Sequence, residues 1–248
     1  MAASTSARAS AREAREILAP TGTLRVGVFP GSPLSMSLDR ATGEMHGLGV
    51  DLGHDLAKRL GVAFEPVRFQ RIAEVIDAMT AGDVDVTISN ATPARAALVA
   101  FSQTLISLEL GYLVPAASPI ATLADVDKPG LRVGVTQGST SQGTIPNLLP
   151  KAIVVPAENA GRAIDMFGRR ELDLFATNKP TLFEMSDQMP NSRVLDGRWG
   201  VEHIAIAIPK GREAAMDYLH RFVAEAQTGG RLAEAVARAG LRGIVKAR

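Results

Sequence analysis

Two segments of the chain share the same succession of apolar and polar positions. In the first, the apolar residues from Ile72 to Met79 follow the i, i+3, i+4, i+7 spacing that predicts an amphipathic helix. An apolar, β-branched run at 84–89 follows and predicts a buried strand. The same order returns at 163–178. Each segment therefore predicts a helix followed by a buried strand, and both strands end on asparagine.

A second repeat precedes each of these segments. The sequence LRVGV occurs at 24–28 and again at 131–135, each time followed by a turn that contains glycine and serine. Strands that alternate with helices predict parallel sheets with helices on both faces. Such sheets bind ligands beyond the carboxyl ends of their strands. The repeat therefore predicts two similar α/β lobes with a ligand cleft between them.

The remaining elements fit this arrangement. Leu52, Leu56 and Leu60 predict a helix that ends at Gly61. Apolar runs at 108–115 and 203–209 predict strands on either side of the second half, where the chain would cross between lobes. Two helices are expected after residue 212, with a break at 229–230. Crossing strands at these positions would make lobe 1 discontinuous.

The turn after the first buried strand carries candidate binding chemistry. Thr92 followed by Pro93 is typical of a helix N-cap with proline at the first helical position, so Arg95 would lie in the first turn of a new helix. A cation there opposes the helix dipole unless an anion neutralises it. Backbone N–H groups, hydroxyls and a guanidinium at a strand end suit a carboxylate. The alternative interpretation is a surface arginine on an ordinary helix.

Composition narrows the class of protein. The 248 residues carry a formal net charge of +1 and contain no basic run, so nucleic acid is not an expected partner. Cysteine is absent, which removes disulfides, thiolate metal sites and cysteine nucleophiles. No apolar run approaches the roughly 20 residues that span a bilayer. The first 21 residues lack the apolar region of an intact secretory signal. They are expected to be flexible, with a short exposed helix at 10–19 as the alternative.

Enzymatic patterns are weak in this sequence. Two pairs of carboxylates are close in sequence, Asp83 with Asp85 and Asp51 with Asp55. The first pair flanks the start of a strand, and the second lies near a helix N-terminus, where acids favour the helix dipole. The four histidines show no metal-ligand spacing, and no nucleotide-binding glycine pattern occurs. We therefore expect no catalytic residues, no metal and no cofactor.

Five segments together resemble the bacterial extracellular solute-binding proteins of family 3, which serve polar-amino-acid ABC transporters. They are LRVGVFPGSP, GLGVDLGHDLAKRLG, GDVDVTISNATPARAALVAFS, GLRVGVTQGSTSQ and ELDLFATNKPTLFEM, and the resemblance covers about residues 22–248. It implies a type II periplasmic-binding fold, an α/β fold whose two lobes close on a ligand like a hinge. It also implies that Arg95 clamps a ligand carboxylate and that residues 138–141 complete the clamp.

The resemblance implies the following candidate ligand-binding residues: Phe29, Ser32, Leu48, Ser89, Asn90, Thr92, Arg95, Gly138, Ser139, Thr140, Ser141, Asn178 and Glu202. Family members that bind amino acids place an aspartate in lobe 2 to hold the ligand ammonium, and here that position is Asn178. Phe29 stands where the family has another cleft acid, and Leu48 replaces an aromatic residue. A buried ammonium without a carboxylate is costly. A carboxylate ligand without an ammonium is therefore expected, unless Glu202 or Glu65 supplies the charge.

The implied function is the solute-binding component of an ABC importer, capturing an amino acid or related organic acid by hinge closure. The expected partners are this small carboxylate and a permease in the inner membrane; the protein is expected to be a periplasmic monomer whose signal peptide has been removed or replaced. Lobe 1 is expected at 22–109 and 204–248, and lobe 2 at 110–203.

Two other functions use the same fold. One is a cyclohexadienyl-dehydratase-like enzyme, for which Glu184 or Glu202 would be the general acid. The other is the effector domain of a transcriptional regulator, although the chain has no helix-turn-helix segment.

Overall fold

The computed structural model of the chain describes residues 11–39 and 42–245. In chain order the α-helices are α1 (11–18), α2 (Leu48–Leu60), α3 (Ile72–Ala81), α4 (Pro93–Ala96), α5 (Thr140–Leu148), α6 (Ala160–Gly168), α7 (Lys179–Gln188), α8 (Met216–Thr228) and α9 (Arg231–Arg238). The strands are β1 (Thr23–Val28), β2 (Ser37–Leu38), β3 (Met45–His46), β4 (Ala63–Arg68), β5 (Thr87–Asn90), β6 (Val99–Phe101), β7 (Ile106–Pro115), β8 (Arg132–Thr136), β9 (Ile153–Ala157), β10 (Leu174–Asn178), β11 (Ser192–Val194) and β12 (Gly200–Pro209).

The chain divides into two units, and their residue boundaries are similar to those of the expected lobes. Among the described residues, unit 1 contains 11–30, 34–105 and 203–240. Unit 2 contains 31–33, 106–202 and 241–245. The last of these segments was expected in lobe 1. It lies in unit 2 because its backbone hydrogen-bonds to β7, where Glu109 N donates to Gly243 O and Val245 N donates to Ser107 O, both at 2.9 Å.

The first described residues differ from the expected flexible segment. Residues 11–18 form helix α1, in which Ala14 and Leu18 are buried, Leu18 completely. An apolar side chain that is removed from water in this way stabilises the helix that carries it. The predicted flexible segment also included residues 1–10, which lie outside the described part of the chain.

Unit 1 is built on a mixed sheet. β1 pairs in parallel with β4, and Gly27 N donates to Val86 O at 2.9 Å, which brings the segment before β5 alongside β1. β5 and β6 both pair antiparallel with β12. Helix α3 contributes Val75 and Met79 to an apolar core on this sheet. The sheet was expected to be parallel. The antiparallel pairs arise because β12 returns from the second half of the chain.

Unit 2 repeats the parallel arrangement with antiparallel strands added. β8 pairs in parallel with β9 and β10, whereas β7 pairs antiparallel with β10 and β11. Leu174 and Ala176 pack in one apolar core, and Phe175 packs in another. Because successive residues of a strand point to opposite faces, both faces of β10 are buried. This explains its continuous apolar sequence.

In the described ranges, no helix has the length and apolar character needed to pass through a membrane.

Candidate functional site

The residues predicted around Arg95 form one group at the end of β5 in unit 1. Arg95 Nη1 donates a hydrogen bond to Ser89 Oγ at 2.8 Å. Ser89 is the last buried residue of β5, with only 2 % of its surface exposed. Thr92 is the N-cap of α4, and its Oγ1 accepts a hydrogen bond from Arg95 N at 3.3 Å. Ser89, Thr92 and Arg95 are therefore brought together, and the serine orients the guanidinium.

Helix α4 is short. It is a single turn, Pro93–Ala96, capped by Thr92 as predicted. A macrodipole needs aligned peptide units over several turns, so one turn contributes little field. The guanidinium of Arg95 is therefore the main positive charge in this group, and the helix dipole adds little to it.

Asn90 has a structural contact within unit 1. Its Oδ1 accepts a hydrogen bond from the backbone N of His203 at 3.1 Å. Asn90 is also the register partner of Ile204 in the β5–β12 ladder. The Asn90 side chain thus fixes the junction of these two strands beside the Arg95 group.

A second group lies in unit 2 and is centred on Glu202. Thr140 Oγ1 donates to Glu202 Oε1 at 2.8 Å, and Asn178 Nδ2 donates to Glu202 Oε2 at 3.1 Å. These three residues come from the start of α5, the end of β10 and the start of β12. Glu202 is 7 % exposed. Two residues predicted from sequence, Thr140 and Asn178, therefore donate to the buried carboxylate of a third, Glu202.

The side chain of Asn178 has a fixed orientation. Its Oδ1 accepts a hydrogen bond from Thr181 N at 3.1 Å, which makes Asn178 the N-cap of α7. This bond leaves the NH₂ group facing Glu202. The opposite orientation would place an amide oxygen against a carboxylate oxygen and an NH₂ group against a backbone N–H, so the hydrogen-bond network determines the assignment.

The predicted segment 138–141 starts helix α5. Ser139 is the N-cap, and its Oγ accepts from Gln142 N at 3.3 Å. The Gln142 side chain returns to accept from Gly138 N at 2.6 Å. Ser141 is buried. Gln142 was not among the predicted residues, although the spacing Ser-x-x-Gln is the signature of a capping box and was available in the sequence.

Phe29, Ser32 and Leu48 do not join either group. The Phe29 side chain packs on the apolar core of unit 1, and Leu48 is completely buried at the start of α2. Ser32 is buried in unit 2, where its Oγ accepts from Thr181 Oγ1 at 3.2 Å. Thr181 was missed by the sequence analysis because its partner is far away in the chain. Its position at N3 of a helix capped by Asn178 was the available signal.

The other acids considered from sequence have different surroundings. Asp51 forms an ion pair with Arg238 at 2.9 Å, and Asp55 approaches Arg59 at 3.7 Å. Glu65 is exposed on β4. Glu184 lies on α7, partly buried. In the ranges that the structure describes, no group of three or more His, Cys, Asp or Glu residues is arranged to hold a metal ion.

Asp85 is a buried carboxylate with two arginine partners. It accepts hydrogen bonds from Arg25 Nη2 at 2.8 Å and Arg212 Nη1 at 2.7 Å. Burial alone would raise the pKa of Asp85, but the hydrogen bonds from Arg25 and Arg212 outweigh it and lower the pKa below its ordinary value. A carboxylate that is held by two cations in this way stabilises the fold and is not a candidate for ligand binding.

The sequence profile of the bacterial extracellular solute-binding proteins, family 3, matches residues 24–240. The chain belongs to this family. The structure accordingly has the α/β fold of type II periplasmic-binding proteins.

Curated relatives of the chain are glutamine-binding proteins. The glutamine-binding protein of Geobacillus stearothermophilus is 28 % identical over 193 residues, which cover 76 % of this chain and 73 % of the relative. The ABC transporter glutamine-binding protein GlnH of Bacillus subtilis is 25 % identical over 198 residues, covering 78 % and 72 %.

A solved structure bears on the enzymatic alternative. The ancestral amino acid-binding protein AncCDT-1, described as a precursor of cyclohexadienyl dehydratase, matches with a TM-score of 0.79 and 26 % identity. The match covers 90 % of this chain and 97 % of that one. This precursor of the dehydratase is itself described as an amino acid-binding protein.

Proposed function

We propose that this member of the family is the solute-binding component of an ABC importer and captures a small carboxylate-bearing ligand, an amino acid or related organic acid. The observation that carries the proposal is the orientation of Arg95 by Ser89 at the end of a strand. A guanidinium presents N–H donors in a fork that matches a carboxylate. The curated relatives, which bind glutamine, support the same ligand class.

Capture proceeds by hinge closure. The chain passes between the two units at 105–106 and at 202–203, and also at 30–31, 33–34 and 240–241. A few residues at such crossings absorb the change in backbone angles while each unit moves as a rigid body. In the closed form Ser139, Thr140 and Ser141 meet the ligand held by Arg95. The loaded protein then delivers the ligand to a permease in the inner membrane, and it acts as a monomer in the periplasm.

A thermal-shift screen of L-amino acids and small organic acids tests this function. A ligand at about 100 times its Kd stabilises the folded protein by about 2.7 kcal/mol through mass action, so a true ligand gives a clear rise in Tm. We expect stabilisation by one small set of carboxylates and none by the corresponding neutral amides. A screen in which no carboxylate stabilises the protein would contradict the proposal.

The same samples test the enzymatic alternative. Incubation with prephenate or arogenate is expected to leave both compounds intact, because a solute-binding protein releases its ligand chemically unchanged. Turnover of either compound would show that the chain is a dehydratase and not a transport protein.

A further inference from the structure

We propose that the turn formed by Arg169 and Arg170 in unit 2 is a docking site for a protein partner, and that it binds a carboxylate-rich segment of the permease. The proposal rests on the proposed function, which supplies the permease as a partner. It concerns a surface of unit 2 outside the two groups of residues around Arg95 and Glu202.

The backbone of this turn is in a conformation that favours glycine. Among the described residues other than glycine, only Arg170 has a positive φ, with a value of 56°. In this left-handed region a Cβ lies close to the following carbonyl oxygen, so glycine is the residue that enters it without steric cost. Strain of this kind in an exposed side chain points to a function for that side chain.

The equivalent turn of unit 1 is made with glycine. Arg170 N donates to Phe167 O at 2.9 Å and closes the C-terminus of α6. At the same place in the repeat, Gly82 N donates to Met79 O at 3.2 Å and closes the C-terminus of α3. The φ of Gly82 is 85°. The fold therefore forms this turn without an arginine, and the side chain of Arg170 is not needed to end the helix.

The side chains of Arg169 and Arg170 are exposed and have no partner within the described part of the chain. The acid that follows them, Glu171, approaches Arg162 at 3.8 Å. Asp165, one helical turn before them, forms no ion pair with the residues that the structure describes. Two neighbouring guanidinium groups thus give the turn two positive charges that nothing in its own unit neutralises.

The chemistry of the turn favours a protein partner over a lipid surface. Each guanidinium presents N–H donors in a fork that matches a carboxylate. Segments that bind anionic lipids carry clusters of about 4–8 Lys or Arg residues. This turn has only two, and the acids Asp165 and Glu171 near them in the chain would oppose a negatively charged membrane. A short acidic segment can contact the two arginines and avoid both acids.

The turn is also held in place before a partner binds. Met166 and Phe167, in the last turn of α6, are buried in an apolar core of unit 2. The backbone of both arginines is therefore fixed by a packed helix, and docking has to order only their side chains. The alternative role is local, because cations near a helix C-terminus are favoured by its dipole. In that case both arginines would serve only to stabilise α6.

Activation of the importer tests the proposal. The probe is the cognate permease with its ATPase in nanodiscs of neutral lipid, and the readout is the concentration of ligand-loaded protein that gives half-maximal ATP hydrolysis. We expect Arg169→Glu to raise this concentration at least about 10-fold at about 50 mM salt. The effect should shrink at about 500 mM salt, because exposed charges are then screened.

The matched control is Lys151→Glu, which makes the same change of charge at another exposed cation of unit 2. It should change the half-maximal concentration less than about 2-fold. Equal effects of the two variants would overturn the proposal, since they would show a response to the net charge of the protein and not to this turn.

Arg170→Gly separates docking from stability. Glycine relieves the left-handed backbone, so we expect the Tm to rise by about 1–4 °C. The half-maximal concentration should nevertheless rise about 3-fold or more, while calorimetry finds an unchanged Kd for the ligand. An unchanged half-maximal concentration would overturn the proposal at any Tm. If the Tm also fell, the arginine would be assigned to the stability of α6 alone.

Vesicles without the importer test the lipid alternative. Vesicles of phosphatidylcholine with about 30 % phosphatidylglycerol should not bind the unaltered protein. Binding that Arg169→Glu abolishes would assign the turn to anionic lipid and overturn the proposal. Failure of the proposed function gives a different result, in which no carboxylate raises the Tm or the unaltered protein does not activate the importer. Activation that the variants leave unchanged overturns the docking site alone.

Discussion

Asp85 and Arg25 are joined by three hydrogen bonds. The Asp85 carboxylate accepts from Arg25 N at 3.0 Å, Nε at 2.9 Å and Nη2 at 2.8 Å. Asp173 and Arg132 repeat the arrangement in unit 2, with the corresponding distances 2.8, 3.0 and 2.9 Å. The arginines are equivalent positions of the LRVGV repeat. Each pair ties the first strand of a repeat to the segment before its buried strand.

These pairs provide a comparison of the same interaction at two depths. Asp85 is fully buried, whereas the Asp173 side chain is 31 % exposed. We expect Asp85→Asn to lower the free energy of unfolding by about 3–5 kcal/mol, since it removes the buried charge that holds two partly buried guanidinium groups. Asp173→Asn should cost about 1 kcal/mol because water screens the pair. Urea denaturation measures both, and equal losses would contradict this explanation.

The pH dependence of stability follows from the same carboxylates. Hydrogen bonds from Arg132 lower the pKa of Asp173, and those from Arg25 and Arg212 lower the pKa of Asp85 against the effect of burial. The folded state therefore binds these protons more weakly than the unfolded state. Their stabilisation is complete above the ordinary value of 3.8 and is lost as pH falls through the lowered folded values.

The measurement is denaturation from about pH 6 to about pH 3. The difference in stability between the unaltered protein and Asp85→Asn should shrink as the pH falls. A difference that stays constant over this range would show that Asp85 is not ionised in the folded state at neutral pH.

Arg95 should carry much of the ligand affinity. Arg95→Ala is expected to cost about 2–5 kcal/mol of binding free energy, as when one partner of a buried charge pair is removed. Folding should change little, because Arg95 is only partly buried. Lys58→Ala is the matched control, since it removes one exposed cation at the far end of α2 in the same unit. Calorimetry that finds equal affinities for both variants would exclude Arg95 as the clamp.

Hinge closure predicts a change in dimensions. Small-angle scattering should give a smaller radius of gyration with saturating ligand than without it, because the two units approach as rigid bodies. The Arg95→Ala variant at the same ligand concentration serves as the control and should keep the larger value. An unchanged radius in the unaltered protein, at a concentration where calorimetry shows saturation, would contradict closure.

The glycines of the LRVGV repeat should resist substitution. A Cβ on Gly134 would lie 2.5 Å from Phe175 Cδ2 and 2.7 Å from Leu172 Cδ1, and one on Gly27 would lie 2.4 Å from Val75 Cγ1. Each change to alanine is expected to destabilise the protein by about 1–3 kcal/mol through overpacking.

The control for these variants is Gly143→Ala. A Cβ on Gly143 meets nothing within 4 Å, and the residue lies inside α5. Alanine there should be neutral or stabilising by up to about 1 kcal/mol, since it favours the helix. Thermal unfolding compares the stability of Gly27→Ala, Gly134→Ala and Gly143→Ala. If steric crowding is the cause, only the first two are destabilised. A loss of stability in all three would contradict this explanation.

Features that depend on neighbouring residues could be predicted from the amino-acid sequence alone. Apolar spacing indicated α3 and β10, and Thr92 with Pro93 indicated the start of α4. Periodicity and capping can be read locally because a helix or strand places residues a few positions apart on a common face. The repeat of these local patterns indicated two α/β lobes, and the Arg95 group followed from one short segment.

Contacts between residues that are far apart in the chain became visible only in the folded protein. Glu202 and Asn178 are 24 positions apart, Asp85 and Arg25 are 60 apart, and Ser32 and Thr181 are 149 apart. These contacts depend on strand register and on how each unit packs, which no local pattern encodes. For this reason the sequence suggested Asn178 and Glu202 as separate candidates, and the fold showed that they are joined by a hydrogen bond.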